Sequence, residues 1–287
     1  MIQSMTGYAT TIRELPQGTL TLELRSVNSR FLDVQFRIAE DLRAAEPQLR
    51  EQITARIRRG KVDCRMSYAA APLAQVEAPL DPEVLKRLAQ QAEQVRRYLP
   101  DATPLRVADV LRWPGVMRED NADDALREAT AQAVEAALDE LVAARAREGD
   151  KLRQMILERV TAIRARLQEL QPLIPEALAA YQEKLANKLR EVLASADEER
   201  IRQEIAVFGV KIDVAEELSR LATHLDEVER VLAAGGAVGK RLDFLMQELN
   251  REANTLGAKS VSKELSAAAL EFKLLIEQMR EQVQNLE

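Results

Sequence analysis

A run of Ala, Leu, Arg and Glu at helical spacing extends from residue 123 to 171 and resumes from 176 to about 195, interrupted near Pro172 and Pro175. Proline removes a backbone donor and clashes with the preceding turn, so the run divides there into two helices. Further helical periodicities cover residues 202 to 233, 241 to 256 and 262 to 286. Asp81 followed by Pro82 is a helix start, a capping carboxylate before a residue whose φ suits the first turn, and it opens a helix toward Leu99. "RWPGVM", residues 112 to 117, breaks the pattern, with Trp113 as a packing anchor. Aromatics make up only 3% of the chain, consistent with helices doing most of the building.

The first seventy residues read differently. "TLTLELRS" from Thr19 and "LDVQFRI" over Leu32 to Ile38 alternate at period two, and "VDCRMSY" from Val62 does the same, facing Val62, Cys64 and Met66 one way. Between them "EDLRAAEPQLREQITARIRR" spaces Leu42, Leu49, Ile53 and Ile57 as a helix does. The first two strands are read as neighbours. The expected fold is α+β: a small antiparallel-sheet domain, then long helices and a carboxy-terminal helical bundle. The expected division is 1–120, a helical arm over 121–200, and 201–287.

No stretch approaches the length needed to span a bilayer and the start has no secretory pattern, so a cytoplasmic protein without a membrane partner is expected. Cys64 is the only cysteine, which excludes an intrachain disulfide and a multi-cysteine zinc site and suits a buried structural thiol. Net charge is −6, but residues 1 to 75 hold eleven basic residues against eight acids, so the remainder carries −9. That asymmetry allows a phosphate-binding end and an acidic, metal-attracting end.

Two helices concentrate the chemistry. In "KIDVAEELSRLATHL" the side chains of Asp213, Glu216, Glu217, Arg220 and His224 fall within about a third of a turn at 100° per residue. Carboxylates sharing a face with the single histidine suit Mn²⁺ or Mg²⁺, or a salt-bridged solvated face. In "DFLMQELNREANTLGAKS" the apolar Leu245, Met246, Leu249, Ala253 and Leu256 oppose Asp243, Gln247, Asn250, Arg251 and Asn254, with Glu248 and Glu252 on a flank. If the helices lie side by side, their polar faces enclose an acidic, Arg-lined cleft fit for a metal and a phosphodiester. "AGGAVGKR" between them lacks the residues of a phosphate-binding P-loop and reads as a helix connection. In the amino-terminal region, Arg25, Asn28 and Arg30 at a strand turn and Arg58, Arg59 and Lys61 before the next strand form either an ordinary turn and basic helix end or a phosphate-binding strip.

The motifs "SMTGY", "SVNSRFLD", "RGKV", "EGDKL", "DVAEELSRLATH", "VGKRLDFLMQELNREANTLGAKS" and "EQMREQVQNLE" resemble the YicC-like family of bacterial proteins over almost the whole chain. The resemblance implies a divalent-metal-dependent endoribonuclease assembled as a homo-oligomer, a hexamer whose subunits surround RNA. On it rest the expected roles: Glu217, His224, Asp243, Glu248 and Arg251 in catalysis, and Asp213, Glu216, Glu217, His224, Asp243, Gln247 and Glu248 as metal ligands. Arg25, Asn28, Arg30, Arg59, Lys61, Arg220, Asn250, Asn254 and Lys259 are expected to hold RNA. A metal-free route, with His224 removing the ribose 2′-hydroxyl proton, leaves a cyclic phosphate rather than a 3′-hydroxyl. An adaptor that binds RNA and recruits another nuclease is the competing reading.

Overall fold

Strand β2 (Gly18–Val27) buries every second side chain, Leu20, Leu22 and Leu24 among them, and β4 (Gly60–Ala70) buries Val62, Cys64 and Met66 opposite it. This is the alternation the sequence carries, and it places one apolar face of a sheet inward. The computed structural model describes residues 2–16, 18–71, 80–116, 122–192 and 198–287. The boundary expected between residues 120 and 121 and the helix end expected near residue 195 lie outside them.

The sheet has four strands in the order β1-β2-β4-β3, with β1 Gly7–Leu15 and β3 Leu32–Ile38 at its edges. β1, β2 and β4 are antiparallel neighbours, whereas β3 runs parallel to β4, so the sheet is mixed rather than purely antiparallel. Helix α1 (Glu46–Arg56) lies between β3 and β4 in the chain and supplies the crossover that a parallel pair needs. It follows that β2 and β3 are not neighbours as expected, because β4 is inserted between them. Burial pushes the Cys64 thiol up to about 12, helped by the charges of Asp63 and Glu46.

The helices follow: α2 (Pro82–Tyr98), α3 (Val107–Leu111), α4 (Ala122–Leu170), α5 (Leu173–Val192), α6 (Glu198–Lys211), α7 (Ala215–Ala234), α8 (Gly239–Lys259) and α9 (Lys263–Val283). Asp81 caps α2 as expected, its Oδ1 accepting from the backbone N–H groups of Glu83 and Val84. Trp113 is half-exposed and lines a groove with Leu88, Val95 and Leu105. The helix expected over 202 to 233 breaks at Ile212 to Val214, where Asp213 turns its Oδ1 onto the Ala215 N–H at 2.9 Å. None of the helices among the described residues is long and apolar enough to cross a membrane.

Helix α4 has 49 residues and spans about 73 Å. Its first half closes the sheet core through Ala133, Val134, Ala137, Leu138 and Leu141. Its second half closes a bundle core with α7, α8 and α9 through Ile156, Val160, Ile163 and Leu167. Between the two, residues near both ends of the chain pair across α4: the Met5 N–H donates to the Asn285 carbonyl at 2.8 Å and the Glu287 N–H to that of Gln3 at 2.9 Å.

Gly149 marks that crossing. Glycine inside a helix costs about 1 kcal/mol relative to alanine, yet here a Cβ would lie 2.5 Å from the Ile2 carbonyl oxygen. Gly149→Ala is therefore expected to destabilise the protein by roughly 1–3 kcal/mol, the usual range for overpacking, despite alanine's better helix propensity. Urea denaturation checks this, and a higher midpoint in the variant contradicts it.

Candidate functional site

Helices α7 and α8 form an antiparallel hairpin turned by Gly235 and Gly236, both with positive φ. Side chains three and four residues apart share a helix face. Residues 217, 220, 224 and 227 of α7 make one such row and 241, 248, 252 and 259 of α8 make the other. The two rows meet. Lys259 Nζ lies 2.8 Å from Glu217 Oε1, Arg220 Nη1 lies 3.5 Å from Glu252 Oε1, and Arg241 Nη2 lies 3.3 Å from Glu227 Oε1.

Three of these rungs set a cation against a carboxylate. The fourth does not: donor atoms of His224, Glu248 and Glu252 all lie within 4.8 Å of one another. Glu252 is buried at 4% exposure, whereas His224 and Glu248 are half-buried, so the cluster opens to solvent on one side. One imidazole and two carboxylates within this span match the donor set of a hard divalent cation. Two guanidiniums flank it. Arg220 is held mainly by Glu216 at 2.6 Å and only loosely by Glu252, while Arg251 lies 3.9 Å from Glu248 Oε2 with its side chain largely in solvent.

Glu217 is the buried member of the α7 row. Its Oε1 takes the Lys259 ammonium, which also donates to the Asp213 carbonyl at 3.0 Å, and its Oε2 has no hydrogen-bond partner among the described residues. At the far end of the hairpin, hydrogen bonds from Arg230 and then Arg241 hold the Glu227 carboxyl down at about 2.

The remaining candidates stand elsewhere. Asp213 is outside α7, at its cap. Asp243 accepts from Gln247 at 2.9 Å and approaches Arg280 of α9 at 3.9 Å, and Asn254 donates to Asn250 at 2.7 Å. These four residues follow a line displaced from Glu248 by roughly 100–160° around α8. The structure thus does not bring Asp243 and Gln247 to His224. Glu252, which was not among the expected site residues, does reach it. The available signal was its position four residues after Glu248, on the same flank of the apolar face.

At the sheet, Arg25 is exposed on β2, and the β register sets Lys61 opposite Val27. The β2–β3 turn is fastened at two points: Asn28 Nδ2 donates to the Gln284 carbonyl at 2.7 Å, and Arg59 Nε donates to the Arg30 carbonyl at 3.0 Å. Arg25, Asn28, Arg30, Arg59 and Lys61 therefore gather at one end of the sheet.

A family model described as "Endoribonuclease YicC-like, N-terminal region" matches residues 2–154, and one described as "Endoribonuclease YicC-like, C-terminal" matches residues 170–287. A Haemophilus influenzae protein named "Probable endoribonuclease YicC" is 38% identical over 288 residues, with the whole of both chains covered. A Clostridioides difficile protein of the same name is 26% identical over 293 residues, again across both whole chains.

Proposed function

This chain belongs to the YicC-like endoribonuclease family, and from that membership together with the α7–α8 hairpin we propose that it cuts RNA internally with the help of a divalent cation. The observation that carries the reading is the His224, Glu248 and Glu252 cluster, where two carboxylates and the imidazole converge within 4.8 Å while the flanking Arg220 and Arg251 stand no closer than 3.5 Å to them. These three residues would hold Mn²⁺ or Mg²⁺. Such an ion supplies Lewis-acid neutralisation of phosphoryl charge and a more acidic water.

The chain's own groups supply the rest. Arg251, largely in solvent, and Arg220, half in solvent and exchanging its contact with the exposed Glu216, would turn onto the non-bridging phosphate oxygens as negative charge grows there. The Glu217 to Lys259 pair fixes the spacing of the two helices at one end and the Arg241 to Glu227 pair at the other. Water adds to phosphorus and gives up a proton, the bond from phosphorus to the ribose 3′ oxygen breaks, and that oxygen takes up a proton, which leaves a 3′-hydroxyl and a 5′-phosphate. In this reading residues 201–287 carry the chemistry, the region up to residue 120 contributes RNA affinity, and the helical segment between them joins the two. The exposed Val95, Tyr98, Val107 and Trp113 of the α2–α3 region support assembly into a homo-oligomer, proposed here as a hexamer.

The test is single-turnover cleavage of a defined RNA with Mn²⁺ or with EDTA, paired with thermal melting. Saturating Mn²⁺ at about 100 times its Kd is expected to add about 2.7 kcal/mol of stability, and Glu248→Gln is expected to abolish that gain. Cleavage that survives EDTA and ends in cyclic phosphate contradicts the metal route. RNA binding without cleavage under any condition favours the adaptor.

A further inference from the structure

Phe31 is 70% exposed, an unusual position for a phenyl ring, which gains stability by leaving water. It sits in the β2–β3 turn, and that turn is not loose: Asn28 ties it to the Gln284 carbonyl and Arg59 clamps the Arg30 carbonyl. The ring is therefore presented rather than merely left out. The Arg30 guanidinium lies 5.3 Å from its centroid and shields one region of it. At the adjoining strand ends, Arg25 near the end of β2 and Arg58 just before β4 are exposed and Lys61 of β4, set opposite Asp33 in the register, is half-buried, and none of the three has a side-chain partner among the described residues. A rigidly held aromatic among unpaired cations matches a nucleic acid strand whose phosphates meet the cations and whose base meets the ring.

Resting on the endoribonuclease reading, we propose that Phe31 stacks against an unpaired nucleobase and that this end of the sheet selects single-stranded RNA over duplex. A phenyl face can reach a base only when the base is out of its helical stack, whereas phosphates are available in both forms. Arg25, Arg30, Arg58, Arg59 and Lys61 thus supply affinity common to both, and Phe31 supplies the difference.

The experiment measures binding of the full-length chain, in EDTA to withhold the divalent cation, to a fluorescent 2′-O-methyl oligoribonucleotide that lacks the 2′-hydroxyl nucleophile, as a single strand and as a duplex, across a salt series. Base stacking on an aromatic contributes about 1–3 kcal/mol, so Phe31→Ala is expected to weaken single-strand binding roughly 5- to 150-fold. Its salt slope stays unchanged, because no phosphate contact is lost. Duplex affinity also stays unchanged, and Phe31→Trp retains single-strand affinity. Equal affinity of Phe31→Ala and the parent for the single strand overturns this proposal and leaves the endoribonuclease reading standing. A parallel loss on both RNAs with a shallower salt slope overturns it too, since the ring would then serve only to arrange the cations. Failure of the unsubstituted chain to bind either RNA overturns the endoribonuclease reading itself.

Discussion

Glu252→Gln is expected to slow RNA cleavage by roughly two to three orders of magnitude while leaving the fold in place. Glutamine keeps the shape and volume of the side chain, so the packing of α7 on α8 around a residue at 4% exposure is preserved. What is removed is one of the two carboxylates that face His224. Losing several kcal/mol of charge stabilisation at the phosphoryl group corresponds to about that many decades, at 1.36 kcal/mol per decade. The stability effect should be small, because the partner is Arg220, which is half in solvent at 3.5 Å and is already held by Glu216 at 2.6 Å. His224→Ala is expected to behave the same way, with RNA affinity near that of the parent, since both groups serve the transition state more than the ground state. The alternative role for this row is to fasten the hairpin. It forecasts that activity, melting temperature and assembly fall together in Glu252→Gln, and that the Mn²⁺-induced gain in stability persists.

The residues of that row were legible in the sequence, but their partners were not. Helical spacing alone placed Glu217, Arg220 and His224 on one face of α7. It could not say which side of α8 would meet them, because the apolar stripe of α8 leaves polar residues on both flanks and neighbouring helices choose between them. The chosen flank holds Glu248 and Glu252, and the Asp243, Gln247, Asn250 and Asn254 line turns away.

The sheet shows the same division between local and tertiary information. β2 and β4 announce themselves because each packs one face on a core, which imposes period two. β1 does not. Its inward positions include Gly7 and Ala9, kept small because α4 crosses there, so close that a Cβ on Gly7 would lie 2.8 Å from Arg145 Cγ. Its outward positions include Tyr8 and Ile12 beside Thr10 and Glu14, so the usual contrast of apolar in and polar out is blurred along the strand. The parallel pairing of β3 depends on where α1 packs, which no local pattern encodes.

Arg145 gives the other large expected effect: Arg145→Ala should destabilise the protein by about 3–5 kcal/mol, the range for removing one partner from a buried ion pair. It is one of a row of arginines on α4, and nothing in the sequence sets it apart. In the structure its side chain is fully buried at the middle of the helix, where the two cores meet. Its Nε donates to the Ser4 carbonyl at 2.6 Å and its Nη2 to Glu287 Oε2 at 2.5 Å. Truncation would strand a mostly buried carboxylate and a buried carbonyl, and it would leave a cavity beneath Gly7, whose backbone packs on the arginine stem. At roughly 2–4 °C per kcal/mol for a chain of a few hundred residues, the melting temperature should fall by about 6–20 °C. Arg145→Met separates the two contributions. Methionine refills much of the volume and removes the charge, so it should recover the packing part and leave the loss from the unpaired carboxylate. Adding Glu287→Gln to Arg145→Met removes that carboxylate as well. The double variant is expected to be more stable than Arg145→Met alone, and a double variant that is less stable would show that the Arg145 to Glu287 contact is not what the core depends on.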